Sequence, residues 1–304
     1  LDLTQKLGLH INTITKYHNI NLTNLETKDK LKIQPNGQTN IGFGFNYKWL
    51  GLGASFSMPF MNKDDEKYGE TSRFDTQLNI FSKWFGVDAH LQYYKGFYLS
   101  NPDDFQEWEE EYYPQINDIE SMSLGISTYY FFNNRNFSYK AAFIRNQIQK
   151  KSAGAFILGG FYKLNIVVAP SGFVPVELND TLKPYFDISA YSSGIIGVSI
   201  GYTYTLVLFK NFFANASLVP GLGVRVVKLW ADNSEYNLDP SLSSSVTIRL
   251  AMGYEGKRFY WGFNAITSID SYQHETMEIS SSTGNIKFFV GKRFNFSLKR
   301  KNKD

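Results

Sequence analysis

Ile41-Gly42-Phe43-Gly44-Phe45-Asn46-Tyr47-Lys48-Trp49-Leu50-Gly51-Leu52-Gly53-Ala54-Ser55-Phe56-Ser57-Met58-Pro59-Phe60 is the stretch that decides the fold. Its large apolar side chains fall at every second position: Ile41, Phe43, Phe45 and Tyr47, then, beyond a break at Lys48-Trp49-Leu50-Gly51, Leu52, Ala54, Phe56, Met58 and Phe60. A period of two places them on one face of a β-strand, and the break reads as a tight turn joining two such strands. The same alternation recurs at Val87, Ala89, Leu91 and Tyr93, at Val198 to Leu206, at Val246 to Met252 and at Phe259 to Ala265.

Alternation alone fits both a soluble sandwich and a membrane barrel, and the second face separates them. A sandwich loads its wet face with Lys, Glu and Thr; here that face carries Gly, Ser, Asn, Gln and Tyr with isolated charges, the pattern of a crowded polar lumen. The connections alternate as well. Tight turns at Lys83-Trp84-Phe85-Gly86, Asn133-Asn134-Arg135-Asn136, Phe209-Lys210-Asn211 and Glu255-Gly256-Lys257-Arg258 are separated by long loops at residues 61–71, 100–120, 231–241 and 271–284. Short turns on one side and long loops on the other, with Trp49, Trp84, Phe85, Phe131, Phe132, Phe209, Phe212, Phe213, Phe259 and Tyr260 where strands meet turns, describe an antiparallel outer-membrane barrel with an aromatic girdle.

Composition agrees. Among 304 residues, 17% are aromatic and only 19% charged, below the roughly 25% charged of soluble domains. The longest apolar runs are about four residues, far below the ~18 of a membrane-spanning helix. A net charge of +3 gives no basic footprint for nucleic acid. The absence of Cys removes disulfides and thiolate chemistry and suits an oxidising compartment. The chain begins at Leu1, which reads as a mature product whose signal peptide has been removed.

The expected architecture is all-β: a single transmembrane antiparallel barrel over residues 1–304, with 12 or 14 strands and 14 favoured. Thirteen extended segments are legible, starting near Lys6, Gln38, Gly51, Arg73, Gly86, Met122, Phe137, Ala153, Ser193, Phe212, Ser243, Lys257 and Asn285. An even number is required, so residues 168–192, with Pro170, Pro175 and Pro184, form either a disguised strand or an irregular insert. Ile286, Phe288, Val290, Phe294 and Phe296 make the face of the last strand, and residues 299–304 read as a basic periplasmic tail.

Particular strings resemble DUF4421, a family of uncharacterised outer-membrane proteins of Bacteroidetes. They are Tyr47-Lys48-Trp49-Leu50-Gly51-Leu52-Gly53, Tyr94-Lys95-Gly96-Phe97-Tyr98-Leu99, Lys151-Ser152-Ala153-Gly154-Ala155-Phe156-Ile157-Leu158-Gly159-Gly160, and Lys210-Asn211-Phe212-Phe213 with Pro220-Gly221-Leu222-Gly223. The resemblance implies an outer-membrane barrel and carries no activity.

Candidate lumen residues are His10, Arg73, Asp75, Asp88, His90, Lys140, Arg225, Arg249, Lys287 and Arg293, read as lying on the polar faces of strands. Mixed signs among large side chains fit a filled interior as well as a narrow pore. His10 and His90 would serve a surface hydrolase, yet no Gly-x-Ser-x-Gly elbow and no Ser uniquely beside either accompanies them. His18 and His274 read as solvated, at a strand end and in a loop. No His spacing suits a metal, and no cofactor is expected.

The loop at residues 101–120 is acidic and aromatic. Asp103, Asp104, Trp108, Glu109, Glu110, Glu111, Tyr112 and Tyr113 form a candidate partner-facing or cation-binding surface, with Asn101 capping a short helix. The expected role is a non-enzymatic, structural or accessory subunit of an envelope machine for barrel assembly, protein export or surface-lipoprotein handling. Its partners would be membrane lipid and other outer-membrane proteins or lipoproteins. A small porin is the alternative, and a hydrolase the second.

Overall fold

In the computed structural model the described residues are 1–48, 50–57, 64–178, 182–231, 234–274 and 276–295. Trp49, Met58, Pro59, Phe60, Phe296 and the basic tail lie outside them.

Thirteen strands form one antiparallel sheet that closes on itself: β1 (Lys6–Asn24), β2 (Lys30–Gln34), β3 (Thr39–Tyr47), β4 (Leu50–Ser57), β5 (Ser72–Phe81), β6 (Phe85–Leu99), β7 (Gln115–Phe131), β8 (Ala153–Val168), β9 (Ala190–Leu208), β10 (Phe212–Ala231), β11 (Ser234–Glu255), β12 (Phe259–His274) and β13 (Met277–Asn295). Each of β6 to β13 pairs with the next, β13 pairs with β1 along its whole length, and β2 bridges β1 to β6. The closed ring is therefore ten-stranded, and β3, β4 and β5 are additional to it. The expectation of 14 strands is not met.

Two assignments explain the difference. The segment from Phe137 is not a strand. Ser138 caps a short helix, α1 (Tyr139–Phe143), by accepting a hydrogen bond from the Ala141 amide, and Phe137, Tyr139, Ala141 and Ala142 are buried. Their spacing imitates a strand over too few residues to reveal the difference. Residues 169–178 and 182–189 are irregular, with short helical turns at Val176–Leu178 and Lys183–Tyr185, and belong to an insert between β8 and β9. The expected loops at 231–241 and 271–284 are continuations of β10, β11, β12 and β13, which pair almost to their tips.

The polarity of the wall inverts along its strands. Near the turns, β1 sends Leu9 and Ile11 outward and His10, Asn12 and Lys16 inward; near the loops it buries Ile20 and Leu22 completely. The loop half is thus packed like a soluble protein. Ile20, Leu31, Ile33, Phe97, Leu99 and Val167 surround Phe173, Val174, Leu178, Leu182 and Phe186 of the insert in one apolar core. Gly96 sets this up: with φ of 87° it sits at a bulged irregularity of the β6–β7 ladder, where the inward face of β6 moves from Tyr94 to Phe97 and Leu99.

The turn half is reversed. Ile196, Val198, Ile200, Tyr202, Tyr204, Leu206 and Leu208 of β9 all stand exposed on its outside. At ~3.3 Å per residue and a tilt near 40°, that row is about 30 Å tall, the height of a bilayer's hydrocarbon layer. A belt this continuous is the surface of a membrane barrel, since water-soluble monomers expose no such area.

The wall also forks. Gly8 to Thr15 of β1 pair with β3, which pairs onward with β4, while β6 pairs with β5 through residues 86–95. Among the described residues no ladder joins β4 to β5. Asn36 pins the fork: its amide N–H donates to Thr71 Oγ1 (2.9 Å), its side chain donates to Gly69 O (3.0 Å), and Thr71 Oγ1 donates to Gly96 O (2.8 Å).

Candidate functional site

The sequence-predicted polar residues converge on the lumen, where most of the buried ions are paired across strands. Burial of an unpaired charge costs several kcal/mol, so each ion near the barrel axis needs a partner from another strand. On the turn side Glu255 takes Arg145 Nη1 at 3.0 Å and also pairs with Arg293. Arg145 lies between the rings of Phe213 and Phe289, with its carbon 4.5 and 4.6 Å from their centroids, and its Nη2 donates to Asn264 at 2.8 Å.

This cluster anchors the plug formed by residues 133–152. The Leu3 amide donates to Asn146 O (3.0 Å) and the terminal amine to Ile148 O (2.7 Å), so the N-terminus is stitched to the same segment. Above it, Arg249 pairs with Asp88 beneath the rings of Phe81, Tyr129, Tyr139 and Phe143. Farther up, Lys163 donates to both Asp270 oxygens at 2.9 Å and to Ser245 and Ser268 at 2.7 and 2.6 Å. Lys16 bonds Asp75 (2.8 Å), whose other oxygen accepts from Gln92 (2.7 Å) and Tyr94 (3.0 Å). Arg225 bonds Ser193 and lies 5.2 Å over Tyr272.

Of the candidate set, His10, Asp75, Asp88, His90, Arg225, Arg249, Lys287 and Arg293 sit on inward positions. Arg73 reaches across the fork from β5 to Gln38 (2.6 Å) and Asn40 (3.2 Å). Lys140 is the correction: it belongs to α1 in the plug, not to a strand. His18 is a second correction, being fully buried, stacked on Tyr94 at 5.5 Å and bonded to Ser121 at 2.7 Å. His274 ends β12 rather than lying in a loop.

Sequence reasoning missed Arg145, Lys163, Glu255 and Asp270. Lys163 and Asp270 were readable, since each keeps the inward parity of its strand. Arg145 was not, because its segment imitates a strand.

Histidine and serine do meet in the lumen, at His18–Ser121 and at His90–Ser123 (3.3 Å). Both serines are buried, and His18 Nδ1 has no partner, so the carboxylate that orients a catalytic imidazole is missing there. Among the described residues no group of three or more His, Cys, Asp or Glu is placed to hold a metal ion.

The acidic loop is partly fastened to the barrel. Asn101 caps no helix with its side chain; it accepts from the Lys32 amide (2.9 Å), donates to Lys30 O (2.8 Å) and donates to Asp104 (2.7 Å). Lys32 pairs with Asp104 at 3.3 Å, and these two contacts hold the Asp104 carboxyl below its usual range, the Asn101 amide most. Tyr113 stacks on Tyr68 (5.3 Å), and Trp108 donates to Tyr112 O (2.6 Å). Asp103, Glu109, Glu110, Glu111 and Tyr112 remain exposed.

One cavity of about 580 Å³ opens into the turn half of the lumen. It is lined by plug residues Phe143, Ile144 and Arg145, by His10, Lys16 and Lys287 of the wall, and by both β4 and β5.

The family model described as a domain of unknown function, DUF4421, matches residues 4–294. The chain belongs to the DUF4421 family. No curated protein matches this DUF4421 chain in sequence. Among solved structures it is similar to the outer membrane protease OmpT from Escherichia coli, at 9% identity and a TM-score of 0.43, over 97% of this chain and 98% of that one. It is also similar to the translocator domain of the autotransporter NalP from Neisseria meningitidis (7% identity, TM-score 0.35, 95% and 89% covered). A third is the toluene transporter TodX of Pseudomonas putida (8% identity, TM-score 0.27, 96% and 91% covered).

Proposed function

We propose that this DUF4421 protein is an integral, non-enzymatic barrel of a bacterial outer membrane that acts as a structural or accessory subunit of a larger envelope assembly. Barrel assembly, protein export and surface-lipoprotein handling are the kinds of machine it suits. The observation that supports this reading is the double stopper. The chain closes its own lumen from the turn side with residues 133–152, locked by Arg145, Glu255 and Arg293, and from the loop side with Phe173, Val174, Leu178, Leu182 and Phe186 of the insert, locked in an apolar core. A barrel that invests two segments and buried ion pairs in closing its axis is organised as a rigid frame. What it offers outside is a membrane belt and the acidic, aromatic loop carrying Asp103, Trp108, Glu110 and Tyr112.

Native purification in mild detergent tests the proposal. Stoichiometric outer-membrane proteins or lipoproteins should accompany the barrel and be lost when Trp108, Tyr112 and the adjacent glutamates are replaced by Ser. A strictly solitary barrel refutes it. The porin alternative makes the opposite prediction in planar bilayers. The intact chain should be silent; conductance of the intact chain would favour the channel.

A further inference from the structure

The fork in the wall gives the lumen a side entrance. The cavity touches residues 52–55 of β4 and 74–79 of β5, consecutive runs that include both the outward and the inward face of each strand. A space running between the two strand edges meets both faces of both. Its outer rim is apolar, with Leu52, Phe74 and Leu78 exposed on the membrane side. Its inner end is polar and positively charged.

The charge balance can be followed residue by residue. Lys16 is matched by Asp75 and Arg249 by Asp88, but Glu255 alone faces both Arg145 and Arg293. Among the described residues Lys287 has no acidic partner, although it lines the cavity beside His10. An excess of cations therefore sits in a chamber that opens sideways into hydrocarbon. The two edges add backbone N–H groups that, among the described residues, no neighbouring strand satisfies, a costly state in lipid unless something polar occupies the slot.

We infer that the β4–β5 seam is a lateral binding site for an anionic amphiphile of the bilayer, whose headgroup enters the chamber toward Lys287 while its acyl chain stays among the lipids outside Leu52, Phe74 and Leu78. A carboxylate or phosphate there accepts charge-assisted hydrogen bonds from Lys287 and the free edge amides. The chamber lies within the usual size of ligand pockets, about 300–1,000 Å³. This site is independent of the accessory-subunit role: a barrel found to be solitary could still bind the amphiphile, and a barrel in a complex could lack it.

The test uses the whole chain in phosphatidylcholine nanodiscs with a palmitate analogue bearing a photoactivatable diazirine near its carboxylate. Saturable labelling is expected at residues 52–55 and 74–79, displaced by unlabelled palmitate or by phosphatidylglycerol. Whichever of the two displaces it identifies the source. Cetyltrimethylammonium, with the same tail and opposite charge, should be at least about tenfold weaker as a competitor. Lys287→Met should weaken labelling by about tenfold, through loss of a charge-assisted contact. Ala54→Trp, which narrows the mouth without touching the charges, should also weaken it, and heat-modifiable migration on gels checks that both variants fold. Labelling spread evenly around the belt, equal competition by the cationic amphiphile, or unchanged labelling in both folded variants overturns the inference.

Discussion

The pair formed by Lys163 and Asp270 allows the interior to be tested quantitatively. Both side chains are more than nine-tenths buried, and the ammonium meets both carboxylate oxygens at 2.9 Å. Unit charges at that distance attract by about 6 kcal/mol at an effective dielectric of ~20, from which the desolvation of the two ions must be subtracted. Asp270→Asn keeps the shape but removes the negative charge. The ammonium is left with Ser245, Ser268 and the ring of Phe161, whose centroid is 5.7 Å away. The expected loss is about 3 kcal/mol, at the low end for breaking a buried pair because two hydroxyls still accept from the ammonium. That is roughly a 150-fold shift in the folding equilibrium. Lys163→Met should cost a similar amount, whereas the Lys163→Met, Asp270→Leu double variant should be less destabilised than the sum by about 2 kcal/mol or more. Urea titration of the barrel refolded into lipid vesicles, read by the band shift of unheated samples, measures all three. Additive single effects, with coupling below about 0.5 kcal/mol, would show that the ions are solvated and that the reading of a dry, locked lumen is wrong.

Three other perturbations test other parts of the structure. Val198→Lys places a charge in the middle of the β9 belt, where the valine is 67% exposed; it should cost about 2–4 kcal/mol if that surface meets lipid, against less than ~0.5 for an ordinary wet surface, by the same titration. Gly96→Ala puts a Cβ 2.2 Å from Glu70 O at a φ of 87°; it should cost about 1–3 kcal/mol and expose the amides of Ile33 and Leu99 to faster hydrogen exchange, and unchanged exchange would sink the bulge argument. Asp104 has a folded-state pKa below its unfolded value, so its contacts stabilise the loop above the ordinary carboxylate range and are lost as pH falls through the lowered value. Asp104→Asn should flatten the acid side of a proteolysis-rate profile for this loop, and an identical profile would refute it.

The wall was legible in the sequence wherever one polarity runs the length of a strand. From Ile196 to Leu208 every even position of β9 faces outward and is apolar, so period two and the small polar residues between suffice. His18 was misread because β1 changes polarity beneath it: the side chain next inward is Ile20, buried in the loop-side core, and an apolar inward position looks like the end of a membrane strand. The five residues of β2 are too short for periodicity to register, and the apolar spacing of Phe137, Tyr139 and Ala141 fits a strand as well as the one-turn helix that forms. Of the lumen, the individual inward ions were readable from parity. Their pairing was not, because Arg145 meets Glu255 across 110 positions of sequence and Lys163 meets Asp270 across 107.

The break at Pro35-Asn36-Gly37-Gln38 ties these features together. β2 and β3 are two pieces of a single descent past β1, and the break lets the lower piece leave the ring. Among the described residues the wall near the loops runs β1, β2, β6 and onward, ten strands around; near the turns it runs β1, β3, β4, then β5, β6 and onward, twelve around with one unpaired junction. Barrel diameter grows with strand number, so the loop half is narrow enough for the insert at 169–189 to fill as an apolar core. The turn half is wider than its wall side chains can fill. That extra width accommodates α1 and Arg145, leaves the 580 Å³ chamber beside them, and forces the seam. Plug, chamber and lateral opening are thus one consequence of interrupting one strand. An insertion that made residues 35–38 continue the β1 ladder would have to remove all three together.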